Sequence, residues 1–111
     1  MPKENAPTLK TVAIIILNYK TPDLVVDCLQ SLEKQIAPGI EVVVVDSASN
    51  DGSVERIEAQ IEANQWGAWV RVLCSPVNGG FAAGNNLGIR AIDADAYILL
   101  NSDTIVLPNT I

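Results

Sequence analysis

Three polar segments of this chain each follow an apolar run, and they hold most of its side chains with chemistry to offer. They are Asn18-Tyr19-Lys20-Thr21, Asp46-Ser47-Ala48-Ser49-Asn50-Asp51-Gly52-Ser53 and Asn101-Ser102-Asp103-Thr104. Carboxylate and amide oxygens at such places can ligate a hard divalent cation or accept the N–H groups of a ligand. Asp103 is the first candidate, because Asn-x-Asp sets an amide oxygen and a carboxylate side by side where the apolar run Tyr97-Ile98-Leu99-Leu100 ends. Asp46 is the second, since it closes a run of four valines. Aspartate at a strand end also commonly bonds its own loop; convergence with Asp103 is what favours a functional role.

A fourth segment runs Asn78-Gly79-Gly80-Phe81-Ala82-Ala83-Gly84-Asn85-Asn86-Leu87-Gly88 and reads as the opening of a helix. Its glycines allow close approach of a ligand, and the helix start offers N–H groups to an anion. It lacks the Gly-x-Gly-x-x-Gly spacing of a dinucleotide site and the Gly-Lys-Ser/Thr of a P-loop. Gly84 and Gly88, four apart on one helix face, also suit tight helix–sheet packing. That reading leaves Asn78, Asn85 and Asn86 unexplained.

The elements that must position these residues alternate strand and helix. Residues 11–17, rich in β-branched side chains, read as a buried strand, as do residues 41–46; residues 70–74 read as an edge-like strand and residues 96–100 as a fourth. Thr21-Pro22-Asp23 predicts a helix start, with Val25, Cys28, Leu29, Leu32 and Ile36 on its inner stripe and Pro38-Gly39 as its end. Val54, Ile57 and Ile61 mark a second helix. A third opens at Gly79 and reaches about Ile92. The fold class that follows is α/β, a parallel Rossmann-like sheet of about four strands with right-handed helical crossovers. In such a sheet the polar exit loops share one edge, where ligands bind. Residues 1–10 are expected to be poorly ordered and residues 11–111 to form one unit.

Composition narrows the function classes. With 111 residues, 49% hydrophobic and 18% charged, the chain can bury a small core. A net charge of −6 without a basic run argues against nucleic acid as a partner. No run is long enough to span a membrane, and the start lacks a signal-peptide core, so the expected location is cytoplasmic. Cys28 and Cys74 lack zinc-site spacing and are expected to be buried free thiols.

In order along the chain, Val-Ala-Ile-Ile-Ile-Leu-Asn-Tyr-Lys, Val-Val-Val-Asp-Ser-Ala-Ser-Asn-Asp-Gly-Ser, Asn-Gly-Gly-Phe-Ala-Ala-Gly-Asn-Asn-Leu-Gly-Ile and Leu-Leu-Asn-Ser-Asp-Thr stand at the four strand ends. This string resembles the amino-terminal, nucleotide-binding half of a family 2 glycosyltransferase of the GT-A fold, most of all its bacterial rhamnosyltransferase-like branch. The resemblance implies that Leu17, Asn18 and Tyr19 touch the nucleotide and that Asp46 helps hold the base. It lays Asn78, Gly79, Gly80, Phe81 and Asn85 along the nucleoside and donor sugar. Asn101 and Asp103 would stand for the Asp-x-Asp motif, with Asp103 ligating Mg or Mn on the diphosphate. A divalent cation suits an acidic protein that must bind a sugar diphosphate, and it stabilises the charge of the leaving group.

The implied donor is a dTDP- or UDP-sugar, and the implied acceptor a saccharide or a lipid-linked molecule, which would put the full-length enzyme at the inner face of the membrane. In family members the catalytic base follows the metal motif. These 111 residues are therefore expected to bind the donor without useful transfer, and no catalytic residue is assigned. The fourth strand's outer edge is expected to favour self-association. Two alternatives stand beside this reading: a non-catalytic nucleotide-binding module, and a receiver-like phosphoacceptor domain with Asp46 as the phosphorylated residue. The second would need an acid pair after the first strand, where Leu17-Asn18-Tyr19 supplies none.

Overall fold

The β-branched run that follows Thr11 can bury both of its faces, and it becomes an interior strand. The computed structural model describes residues 11–75 and 80–100, with the side chains of 80–84 left aside. Its elements are β1 (Val12–Asn18), α1 (Pro22–Glu33), β2 (Ile40–Ser47), α2 (Ser53–Ala63), β3 (Val70–Ser75), α3 (Gly80–Ala91) and β4 (Ala96–Leu100). The strands are parallel and ordered β3-β2-β1-β4. The predicted α/β class holds, and β3 lies at an edge as its mixed composition suggests. The chain winds outward from β1 to β3, then α3 carries it back across the sheet to β4 on the far side of β1.

Strand alternation splits the core between two faces. On one, Ile14, Ile16, Val42 and Val44 meet Val25, Leu29 and Leu32 of α1 and Ile57 of α2, with Trp66 fully buried beside them. On the other, Ile15, Val43 and Val45 meet Leu87 and Ile89 of α3. That second face explains Gly88: a Cβ built there would lie 2.8 Å from Ile15 Cγ2, so α3 sits on β1 more closely than a side chain permits. The turn into β4 is pinned by Tyr97, whose hydroxyl donates to the Ile92 carbonyl at 2.6 Å and accepts from the Ala94 N–H at 3.2 Å.

Two helix ends differ from expectation. Helix α1 stops at Glu33, short of Pro38, and Ile36 reaches the core from the following turn instead. Thr21 occupies the N-cap position of α1 but makes no side-chain capping bond; its hydroxyl is drawn to a strand-end amide described below. Helix α2 enters through Gly52 at φ 85°, a left-handed conformation that favours glycine. There Asp51 accepts hydrogen bonds from the Ser53 hydroxyl and N–H, and the hydroxyl bond above all holds its carboxyl below the usual aspartate range.

Candidate functional site

Parallel register decides which residues meet. Because β1 and β2 pair from Val12 opposite Ile40 onward, Asn18 falls opposite Asp46 where both strands end, and Cys74 of β3 falls opposite Asp46 on its other side. Asn18 is 0% exposed and Asp46 is 4% exposed. A carboxylate so buried needs donors. Asn18 Nδ2 donates to Asp46 Oδ1 at 2.7 Å, and the Ser49 hydroxyl donates to the same oxygen at 2.6 Å. The Ser49 N–H donates to Asp46 Oδ2 at 3.1 Å.

The remaining capacity of these groups is spent on the loops. Asn18 Nδ2 also donates to Ser49 Oγ at 3.3 Å, and Asn18 Oδ1 accepts from the Thr21 N–H at 3.1 Å and the Thr21 hydroxyl at 3.3 Å. All four hydrogen-bonding positions of the Asn18 amide are thus occupied by protein. Ser49 Oγ accepts from the Lys20 N–H at 2.9 Å. The network clamps the exit loop of β1 to that of β2. It sustains left-handed backbone at Lys20 (φ 61°) and Ala48 (φ 56°), conformations that persist only where neighbours over-determine them.

Beyond the clamp lies an open cleft of about 400 Å³, lined by Asp46, Ala48, Asp51 and Ser53 of the β2–α2 connection and by Cys74 and Ser75 of β3. Leu17 is half-buried in the core face beneath α3. Tyr19 is 46% exposed, with Lys20 Nζ 5.3 Å from its ring centroid. Asn85 is 3% exposed, and neither its Nδ2 nor its Oδ1 has a hydrogen-bond partner among the described residues. It precedes Gly88 by three residues, on the helix face that meets the sheet.

The other expected site residues are placed in part or not at all. Gly80 and Phe81 open α3 in their backbone, while Asn78, Gly79, Asn101 and Asp103 lie outside the described residues. The described residues contain no group of three His, Cys, Asp or Glu side chains able to hold a metal. Two residues of the site escaped the sequence reading. Ser49 had a signal, since a serine three residues after a strand-end aspartate suits a local side-chain-to-backbone turn. Cys74 had none beyond its strand.

Cys74 corrects an expectation. Cys28 is buried as expected, but Cys74 is exposed, because β3 is an edge strand and its last residues line the cleft. Partial burial, followed by the charges of Asp46, Glu58 and Glu55, raises its thiol pKa above the ordinary value. The thiolate is the reactive form. Iodoacetamide should therefore modify Cys74 in the folded chain more slowly at pH 7.5 than in the urea-unfolded chain. The folded-state rate should still be climbing at pH values where that of the unfolded chain has levelled off.

Comparison with known proteins agrees with this architecture. The family described as Glycosyl transferase family 2 matches residues 11–111. Glycosyltransferase GlyG of Streptococcus pneumoniae is 32% identical over 101 residues, covering 90% of this chain and 32% of that protein. The uncharacterized glycosyltransferase EpsJ of Bacillus subtilis is 30% identical over 95 residues, covering 78% and 26%. The chain thus spans about a third or less of the length of these curated relatives. Among solved structures, the mannosyltransferase PcManGT of Pyrobaculum calidifontis, in complex with GDP-Man and Mn2+, superposes with a TM-score of 0.79 at 24% identity, over 93% of this chain and 30% of that one. Glucosyl-3-phosphoglycerate synthase of Mycobacterium tuberculosis, in complex with Mn2+, UDP and phosphoglyceric acid, gives 0.67 at 18%, over 84% and 33%. These structures share the fold. The family match sets aside the receiver-like alternative, and the chain belongs to glycosyl transferase family 2.

Proposed function

We propose that this chain is the nucleotide-sugar-binding part of a glycosyltransferase, and that the nucleoside lies in the cleft beside Asp46. The observation that carries this reading is the Asn18–Asp46–Ser49 clamp: a nearly buried carboxylate is held by three protein donors at the carboxyl edge of a parallel sheet, on the wall of an open cleft. Asn85 supports it, since a buried amide whose two polar atoms have no partner among the described residues is costly unless another group, such as a ligand, completes it. In this reading Asn18 organises the site and leaves the ligand to Asp46, Tyr19 and Asn85. A nucleoside or sugar with both donors and acceptors would suit the Asn85 amide.

The finer parts of the reading rest on the motif string. They are a dTDP- or UDP-sugar donor as in the rhamnosyltransferase-like branch, Mg or Mn held through Asp103 with Asn101 beside it, and a base supplied from outside these residues. The likeness to a neighbour solved with Mn2+ supports the cation. Association through the outer edge of β4, where Leu99 is 45% exposed, and a cytoplasmic site of action belong to the same reading. Titration calorimetry of the chain with UDP and dTDP, each with and without Mn2+, tests it. Micromolar binding strengthened by Mn2+ is expected, and the absence of heat with either nucleotide would refute the proposal.

A further inference from the structure

Among the described residues, β3 has a neighbouring strand on one side only. In a parallel ladder alternate residues turn their N–H and C=O groups to the same side. The Val42 N–H donates to the Trp69 carbonyl at 2.7 Å, so Arg71, Leu73 and Ser75 face β2, while Val72 and Cys74 turn their backbone groups outward. Such an edge is a template for a further strand. One flank of it is acidic. Arg56 of α2 reaches Asp23 of α1 at 2.9 Å, which fixes the side of α2 that looks toward α1. Glu55, Glu58 and Glu62 are exposed and lie about 100° or more round the helix from Arg56. The charges of Glu58 and Glu55 reach Cys74 on β3. On the other face, Arg71 is taken up by Glu41 at 3.3 Å and by the Ala91 carbonyl at 3.4 Å.

We propose that the outer edge of β3 is a docking site for an extended basic segment of a partner protein, which joins the sheet as a further strand with Lys or Arg at alternate positions. Main-chain hydrogen bonds to Val72 and Cys74 supply the attachment, and the side chains supply the selection. The alternation follows from the pleat. Every second side chain of the added strand rises on the face where Val72 packs toward the helices α1 and α2, and there it meets the row Glu55, Glu58 and Glu62. The side chains between them lie on the face of Leu73, where apolar groups fit. A second copy of this chain suits the edge poorly. Antiparallel pairing of β3 with its own copy is two-fold symmetric and sets both α2 helices on one face, where their glutamate rows repel.

The test uses the 15N-labelled 111-residue chain at low salt with two synthetic peptides, Thr-Lys-Val-Lys-Val-Lys-Thr and its counterpart with glutamate for lysine, both blocked at their ends. The lysine peptide should bind about tenfold or more tightly than the glutamate peptide, as three exposed charge pairs together would give. At about ten times its Kd it should slow hydrogen exchange of the Val72 and Cys74 N–H groups about tenfold. The double variant Glu58→Gln/Glu62→Gln, changed only at exposed positions, should weaken the lysine peptide about fivefold. Absence of protection at Val72 and Cys74 would overturn the proposal, as would protection by both peptides alike or an unchanged affinity in the folded double variant. Protection of the same two amides that rises with protein concentration and needs no peptide would put a second copy on the edge, and would overturn it too.

Discussion

Asn18→Ala should destabilise the fold by about 3 kcal/mol or more, the largest single effect expected outside the aliphatic core. The side chain is fully buried and makes four hydrogen bonds, and its removal leaves Asp46 Oδ1, Ser49 Oγ and the Thr21 N–H each short of a partner. Unmet buried groups cost about 1–3 kcal/mol each, more when charged. The loss is less than their sum because water entering the small cavity will meet some of them. For a domain of this size each kcal/mol moves the midpoint by about 4–8 °C, so thermal unfolding should shift by well over 10 °C, as roughly three such steps. Thr21→Val removes the hydroxyl bond to Asn18 Oδ1 and keeps the N–H bond to the same oxygen. It should cost about 1 kcal/mol. Equal small losses from the two variants would mean that the clamp is a solvated loop contact.

Gly88→Ala should also destabilise, by about 1–2 kcal/mol, although alanine is the better helix former by about 1 kcal/mol. The new methyl would meet Ile15 at 2.8 Å from Cγ2, 3.1 Å from Cδ1 and 3.2 Å from Cγ1, on a fully buried side chain of an interior strand. Either α3 lifts off the sheet or Ile15 leaves its rotamer, and both loosen packing beneath Leu17 and Val45. Urea unfolding of Gly88→Ala, Ile15→Ala and the double variant separates the causes. The double variant should be at least ~1 kcal/mol more stable than the two losses added, because Ile15→Ala removes all three clashing carbons. Additive losses would place the cost elsewhere in α3.

Much of the fold was legible because buried strands and amphipathic helices differ so plainly in period. The valine run 42–45 and the isoleucine run 14–16 could only lie between two covered faces, and β4 starts where its apolar run begins. The early end of helix α1 was not legible because Lys34 and Gln35 carry no stop signal; a turn closed by the Gln35 N–H on the Leu32 carbonyl follows it and returns Ile36 to the core. The strand order was not legible, since periodicity cannot say on which side of β1 a crossover lands. Asp46 and Asn18 stood out by type and place. Their mutual bond depends on register, which no local pattern carries. Ser49 was legible only as a turn residue, yet it touches Asp46 through both its hydroxyl and its N–H. Cys74 looked like core because its neighbours are apolar, and only its place on an edge strand exposes it.

Where a nucleotide binds decides whether the clamp belongs to a donor site. The most direct measurement is a map of backbone amide shifts in the 15N-labelled chain as UDP is added with Mn2+. The clamp and cleft predict the largest shifts at residues 17–21, 46–53 and 74–75, with Asn85 following. A second open cavity, of about 290 Å³, lies at the opposite edge of the sheet, lined by Thr11, Gly39, Glu41 and Asp93 among others. Shifts concentrated there, with Asp46 and Ser49 unmoved at saturation, would contradict the account.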